Sequence, residues 1–331
     1  MEINEQWLTD QRRPGNTFCP MLFVHKHVDT MGRRQLCCAA QRREAGWSDA
    51  EVLKAGAQSL AGHAIPECSQ CYVAEADSRV SFRQSAIFTA ATMIEDLDHA
   101  ITQNTLVDLW YDLRVSNLCN LGCITCGPQS SSTLAKKFNV AVPFIKWAAR
   151  NINPNAKKIY LAGGEPFLIK EFQSVLQQIT NSDCEVVVNT NGTVIDTFLL
   201  AELARFSNLC ITLSVDGLGE LASKIRVGTD WAVVEQNVER LKAALPQASF
   251  LVNTVIQRDN VNELYSIGKW VEQNKFAWTL TLLTNPAALQ VDTLEQWHIP
   301  AEIFKLAPVR TKLLPMNVLK KLYNAPQNQR D

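Results

Sequence analysis

From about residue 107 the chain alternates between short β-like runs and helix-like runs, and this alternation narrows the fold more than any other feature. LWYDLRV (109–115), KIYLAG (158–163), EVVVNT (185–190), CITLSVDG (210–217), SFLVNTVIQ (249–257) and WTLTLL (278–283) read as strands. Between them SSTLAKKFNVAVPFIKWAAR, EFQSVLQQIT, TFLLAELARF, WAVVEQNVERLKAAL and NELYSIGKWVEQ read as helices. In the fourth of these Val233, Val234, Val238 and Leu241 recur at helical spacing. Strand–helix units repeated at roughly 25–30 residues predict a parallel sheet with right-handed crossovers. About six units fall short of the eight that close a TIM barrel, so the expected fold is α/β, an open partial (β/α)6 TIM-like barrel. In such a fold the chemistry gathers at the C-terminal ends of the strands.

Charge excludes some partners. Lys plus Arg number 32 against 33 Asp plus Glu, so no global field attracts nucleic acid, and none is expected as a partner. No apolar run approaches the ~18 residues of a membrane helix, so no membrane association is expected. The N-terminus lacks the apolar core of a signal peptide, and Arg12-Arg13 reads as two surface arginines. The expected location is therefore cytoplasmic. In a reducing compartment grouped cysteines bind metal or do chemistry more often than they pair. Eight of the ten cysteines here fall in two groups: Cys19, Cys37, Cys38, Cys68 and Cys71, then Cys119, Cys123 and Cys126.

The second group lies in SNLCNLGCITCGPQSS, just after the first strand candidate. Three thiolates on one short loop can hold three irons of a [4Fe–4S] cube and leave the fourth iron open. Zinc usually takes CxxC pairs and four ligands, and no histidine lies nearby to complete such a set. The Cys119-x3-Cys123-x2-Cys126 loop resembles that of the radical S-adenosylmethionine (SAM) superfamily, and the likeness runs over about 107–285. Gly163, Gly164, Glu165 and Pro166 match the family's GGEP motif, which implies that this backbone and the Glu165 carboxylate contact the SAM amino group. Asn189 and Asn191 in NTNG, and Ser214 and Asp216 in SVDG, end the third and fourth strands. There the family has ribose-contacting polar residues. Arg226 resembles the arginine that holds the SAM carboxylate, and Val255 and Ile256 end the fifth strand where adenine would pack. Thr125 stands where many relatives carry an aromatic residue. The resemblance implies reductive cleavage of SAM at a [4Fe–4S] cluster, with a flavodoxin- or ferredoxin-type reductant. The resulting 5′-deoxyadenosyl radical would take hydrogen from a peptide or protein, or from a small molecule. Substrate residues would lie on loops above the strands and around Leu282-Leu283-Thr284-Asn285-Pro286.

The remaining chain divides into a small cysteine-bearing domain (15–85), a connecting helix (86–106), the barrel (107–296) and a proline-containing tail (297–331). Segment 15–85 has few long periodic runs, and turn-formers such as Pro20, Gly32 and Pro66 separate its cysteines. A small domain with little core needs a staple such as a metal or cluster. Its pattern resembles the SPASM and twitch extensions of radical SAM enzymes, although in most relatives these follow the barrel. That resemblance implies an auxiliary [4Fe–4S] cluster on Cys19, Cys37, Cys68 and Cys71, with Cys38 able to replace Cys37. Glu75, Ser81 and Arg83 in CYVAEADSRVSFR share the likeness. A four-cysteine zinc knuckle is the alternative there. His25, His27 and His63 read as surface or packing residues, and Cys184 and Cys210 as structural ones near the N-terminal ends of strands. For the whole chain the alternative is a non-catalytic iron–sulfur or zinc protein on the same fold.

Overall fold

Parallel strands with both faces in use define the molecule. The computed structural model describes residues 3–142, 152–283, 286–291 and 309–310. Among these, one open sheet contains β1 (His25–Val28), β2 (Arg34–Gln35), β3 (Trp110–Leu113), β4 (Lys158–Leu161), β5 (Glu185–Thr190), β6 (Leu209–Ser214), β7 (Ser249–Ile256), β8 (Ala277–Leu282) and β9 (Val309–Arg310). The order is β2-β1-β3-β4-β5-β6-β7-β8-β9, and every neighbouring pair is parallel except β1–β2. The six expected strands are β3 to β8, adjacent in chain order. The sheet stays open, as expected of a partial barrel.

The helices are α1 (Glu5–Gln11), α2 (Met21–Val24), α3 (Asp49–Leu60), α4 (Ser69–Ala76), α5 (Phe82–Ala90), α6 (Ile94–Thr102), α7 (Ser132–Lys137), α8 (Glu171–Gln177), α9 (Thr197–Leu203), α10 (Gly219–Ile225), α11 (Trp231–Ala244) and α12 (Leu264–Gln273). Their starts are encoded locally. Asp196 and Asp230 cap α9 and α11, their carboxylates accepting from the backbone N–H of Leu199 and Ala232. The helix read over SSTLAKKFNVAVPFIKWAAR stops at Lys137, and Asn139 then takes a left-handed φ of 50°. Residues 143–151 lie outside the described residues, as do Thr284, Asn285 and all of the tail except Val309–Arg310.

The period of two along each strand sorts the sheet into two chemically different faces. Tyr111, Leu113, Ile159, Leu161, Val188, Ile211, Val252 and Leu280 point to one face. Phe172 and Val175 of α8, Leu199 of α9, Val238 and Leu241 of α11 and Ile267 of α12 close over it. The other face carries His27, Asp112, Tyr160, Asn189, Cys210, Thr212, Ser214, Asn253, Thr279 and Thr281, one residue out of phase with the core set. Along β5 and β4 burial alternates strictly, half-buried on the polar face and buried on the apolar one. This is the inner face of the open barrel, and it is lined by hydroxyl, amide and charged groups.

The N-terminal segment differs from its expected outline. β1 and β2 belong to the same sheet as the barrel, with His25–Val28 pairing residue for residue with Trp110–Leu113. The segment also has a core of its own, in which Phe18, Leu22, Phe23, Val24, Leu36, Val52, Ile87 and Met93 pack together. Leu97 and Ala100 of α6 join that core, so the 86–106 stretch packs as well as connects. The turn-formers that obscured this pattern have local jobs. Pro20 opens α2, Gly32 turns the β1–β2 hairpin with a φ of 78°, and Pro66 starts a 3-10 turn before α4. No helix among the described residues is long and apolar enough to cross a membrane.

Trp278, fully buried, anchors the apolar face; its indole N–H donates to Thr254 Oγ1 at 2.9 Å, and that hydroxyl donates to Val215 O at 2.7 Å. Trp278→Ala is expected to cost about 3–5 kcal/mol of folding stability, read by chemical denaturation.

Candidate functional site

The cysteine loop leaves β3 at its C-terminal end and has no regular structure, so its backbone groups must find partners elsewhere. On one side it meets the GGEP turn after β4. Gly164 N–H donates to Ser116 O at 2.9 Å and Glu165 N–H to Leu118 O at 2.8 Å. A Cβ on Gly164 would sit 2.1 Å from Leu118 O, and one on Gly163, whose φ is 121°, would sit 2.8 Å from Ser116 O. The glycines thus serve a close approach to the loop itself. On the other side Gly122 N–H donates to Val227 O (2.8 Å) and Ile124 N–H to Ile225 O (3.0 Å), which pins the loop to the end of α10. Ser132 and Thr133, at the start of α7, tie down Cys119 through its N–H and C=O.

Held this way, Cys119 is half-buried, Cys123 buried and Cys126 exposed. A hydrogen bond from the Cys123 thiol lowers Cys126 to about 7 and raises Cys123. Burial lifts Cys119 to about 11. Arg226 stands among these thiols and next to Asp216, with Nη2 2.7 Å from Asp216 Oδ2. Its Nε is buried and has no hydrogen-bond partner. An N–H left unpaired in this position costs free energy unless a ligand accepts from it. An anionic group beside the three cysteines would be such a ligand. The donor set therefore suits an iron–sulfur cluster together with a carboxylate-bearing cofactor.

The other expected cofactor residues separate into two sets. Glu165 is fully buried, and its oxygens accept from Thr190 Oγ1 (2.6 Å), Asn191 N–H (2.8 Å) and Phe167 N–H (3.3 Å); burial raises its carboxyl to about 7. It ties the end of β4 to the end of β5. Asn191 links β5 to the loop through Asn120 Oδ1 at 3.2 Å. Asp216 is 1% exposed and spent on Val255 N–H (2.7 Å) and on Arg226, so its carboxylate is not offered to a ribose. Asn189 and Ser214 lie on the inner face, near the strand ends. Ile256 is a correction: its side chain is fully buried in the helix-facing core, and Val255 takes the inner-face position. A one-residue shift along a strand reverses the face.

Of the N-terminal cysteines, Cys19, Cys37, Cys68 and Cys71 line one cavity, with Thr17, Tyr72, Phe82 and Arg83 also in its wall. Burial and then mutual repulsion push Cys19, Cys37 and Cys68 up, and burial raises Cys71. Cys38 is not part of that wall and lies against Asp112 and Arg114. The geometry thus separates the adjacent pair. Among the described residues no group of three or more His, Cys, Asp or Glu converges on a single-ion position. A zinc ion with bonds of about 2.3 Å would draw four sulfurs to within about 3.8 Å of one another. Four thiols spread around a cavity suit a larger guest.

Sequence reasoning missed one cluster on the inner face. Asp112 is flanked by His27 Nδ1 at 3.3 Å and Arg114 Nε at 3.1 Å. The signal was present in DLR, where residues two apart on a strand share a face.

Residues 113–271 match the family model described as the Radical SAM superfamily, so the chain carries a radical SAM domain on its partial barrel. Solved structures similar to the chain include SuiB of Streptococcus suis bound to S-adenosylmethionine, at 14% identity and a TM-score of 0.42 over 64% of this chain and 48% of that one. Native anSMEcpe with bound AdoMet gives 19% identity and 0.42 over 64% and 58%. SuiB in a second crystal structure gives 13% and 0.49 over 88% and 70%. The chain thus spans between about half and three-fifths of the first two proteins.

Arg83 uses every N–H of its guanidinium. It pairs with both Glu75 oxygens (2.9 and 2.6 Å) and donates to the carbonyls of Gln11, Arg13 and Phe18. This clamps the chain leading into Cys19 to the helix that bears Cys71. Both partners are 2% exposed, so Arg83→Met, which strands Glu75, is expected to cost about 3–5 kcal/mol. Chemical denaturation should find the Glu75→Gln/Arg83→Met double variant less destabilised than the single one.

Proposed function

We propose that this protein is a radical SAM enzyme that acts on a peptide or protein, with a small molecule as the other substrate class. One [4Fe–4S] cluster would be held by Cys119, Cys123 and Cys126 and an auxiliary one by Cys19, Cys37, Cys68 and Cys71. The observation that carries this reading is the unpartnered, buried Arg226 Nε beside three cysteines on the C-terminal side of the sheet. When bound, the cluster and SAM supply a one-electron cleavage that yields a 5′-deoxyadenosyl radical.

The chain's own residues bind, orient and shield. Arg226, steadied by Asp216, offers a charged N–H to the SAM carboxylate. Gly163 and Gly164 bring the backbone after β4 against the cysteine loop, and Glu165 locks that turn to the NTNG turn after β5. Asn189, Ser214 and Val255 line the inner face where the nucleoside would lie. Thr212, Asn253, Thr279 and Thr281 continue that face with donors and acceptors that suit peptide amides. A flavodoxin- or ferredoxin-type protein is the reductant. The domain boundaries at 15–85, 86–106, 107–296 and 297–331 belong to the same reading, as does a cytoplasmic location.

Anaerobic reconstitution with iron and sulfide tests it. The expected result is about eight irons per chain, no zinc, and methionine plus 5′-deoxyadenosine when SAM and dithionite are added. Cys119→Ala/Cys123→Ala/Cys126→Ala should lose about half the iron and all SAM cleavage, whereas Cys68→Ala/Cys71→Ala should lose iron and still cleave SAM. Zinc in the N-terminal site, or intact clusters with no 5′-deoxyadenosine, would move the protein to a structural role.

A further inference from the structure

Residues 36–38 follow β2 along the free edge of the sheet, and their side chains part company there. Leu36 joins the N-terminal core, and Cys37 packs against it while lining the four-thiol cavity. Cys38 turns the other way, onto the polar inner face, beside Asp112 and Arg114. It is half-buried.

What it meets is a built cluster. Asp112 is 5% exposed and fixed between His27 and Arg114. Tyr160 is its cross-strand neighbour on β4, and the Arg114 guanidinium lies 5.8 Å from the centre of that ring. Cys210 continues the same row two strands on. Arg114 itself ends β3, and its backbone abuts Gly163 of the GGEP turn, so the row runs up toward the cysteine loop. The fold core accounts for none of these side chains, because all stand on the face that no helix covers.

We propose that Cys38 is a redox-active thiol of the substrate chamber that returns a hydrogen atom to the carbon radical formed on the substrate. This deepens the radical SAM reading and rests on it. The S–H bond of Cys38 breaks, a C–H bond forms on the substrate, and a sulfur-centred radical is left on Cys38. One electron from the flavodoxin- or ferredoxin-class donor and one proton from water restore the thiol. Cys37 lines the four-thiol cavity one peptide unit away, about 3.8 Å between α-carbons, so an electron held in that cavity has a short last step. The substrate would then leave at its original oxidation level, altered in configuration or bonding rather than oxidised. Asp112 supplies the acceptor that orients the S–H, with its own charge held by Arg114 and His27.

Two measurements on the full-length reconstituted protein decide this. In the first, iodoacetamide labels the protein anaerobically with and without SAM, and peptide mass spectrometry reads Cys38. Labelling of Cys38 is expected without SAM and lost when SAM fills the chamber. In the second, SAM is cleaved in D2O with no substrate present, and deuterium is measured in the 5′-deoxyadenosine. Among exchangeable groups only a thiol has a bond weak enough to give hydrogen to that radical, so wild-type protein should transfer deuterium. Cys38→Ala should lose the transfer while keeping its iron, Cys210→Ala should keep both, and Cys37→Ala should lose iron. Labelling indifferent to SAM, deuterium transfer unchanged in Cys38→Ala, or iron lost from Cys38→Ala would each overturn the proposal alone. Wild-type protein with full clusters that forms no 5′-deoxyadenosine would overturn it together with the radical SAM reading.

Discussion

The site depends on the backbone contact between the GGEP turn and the cysteine loop. An irregular loop that carries three thiols has no ladder of its own, and exposed thiols give it no core. Four hydrogen bonds solve this: two from Gly164 and Glu165 to the loop's carbonyls, and two from Gly122 and Ile124 to the carbonyls of Val227 and Ile225. The absence of a side chain at Gly164 is the condition for the first pair, since even a methyl group would overlap Leu118 O. The second pair delivers Arg226, which lies between the two accepting residues. One arrangement of the backbone therefore sets both the thiols and the charge that faces them.

Electrostatics separates the two cysteine sites. In the loop a cation, Arg226, stands among the thiols, and Cys126 is poised near neutrality through its hydrogen bond with Cys123. In the N-terminal cavity the one nearby cation, Arg83, is neutralised by Glu75, and the four thiols are buried against one another. Ionising them without a metal would place several like charges in one low-dielectric space. A guest that takes up those charges removes the penalty, so the cavity and its contents are expected to stabilise one another. The Arg83 clamp keeps the walls in position in the meantime.

Much of the barrel was legible because its signal is simple. Helix-covered strands such as KIYL and EVVVNT place β-branched and apolar residues at alternate positions, and the intervening helices carry their own caps. The inner face was legible only in part, for the same reason: its residues are polar, sit one position out of phase, and give no hydrophobic period. Ile256 illustrates the limit, since choosing between it and Val255 needs the pairing register and not the composition. β1 was missed on related grounds. HKHV puts two histidines on the inner face and only Val28 in the main core, so nothing in it reads as a buried strand. The split between Cys37 and Cys38 was likewise beyond spacing, because alternate residues of an extended chain face opposite sides and either could have faced the cavity.

The pairing of β1 with β3 also changes what the N-terminal segment can do. A tethered accessory unit would hold its cavity at a variable distance from the inner face. Here four residues of β1 are hydrogen-bonded in register to the strand that launches the cysteine loop. Segment 36–38, which leaves β2 at the edge of that same sheet, fixes a thiol on each side of one wall. Any exchange of electrons or hydrogen between the two sites then runs through a rigid partition of one strand's thickness. The order of the chain, with the accessory cysteines before the barrel, follows naturally from this construction, because the edge they extend is the one next to the first barrel strand.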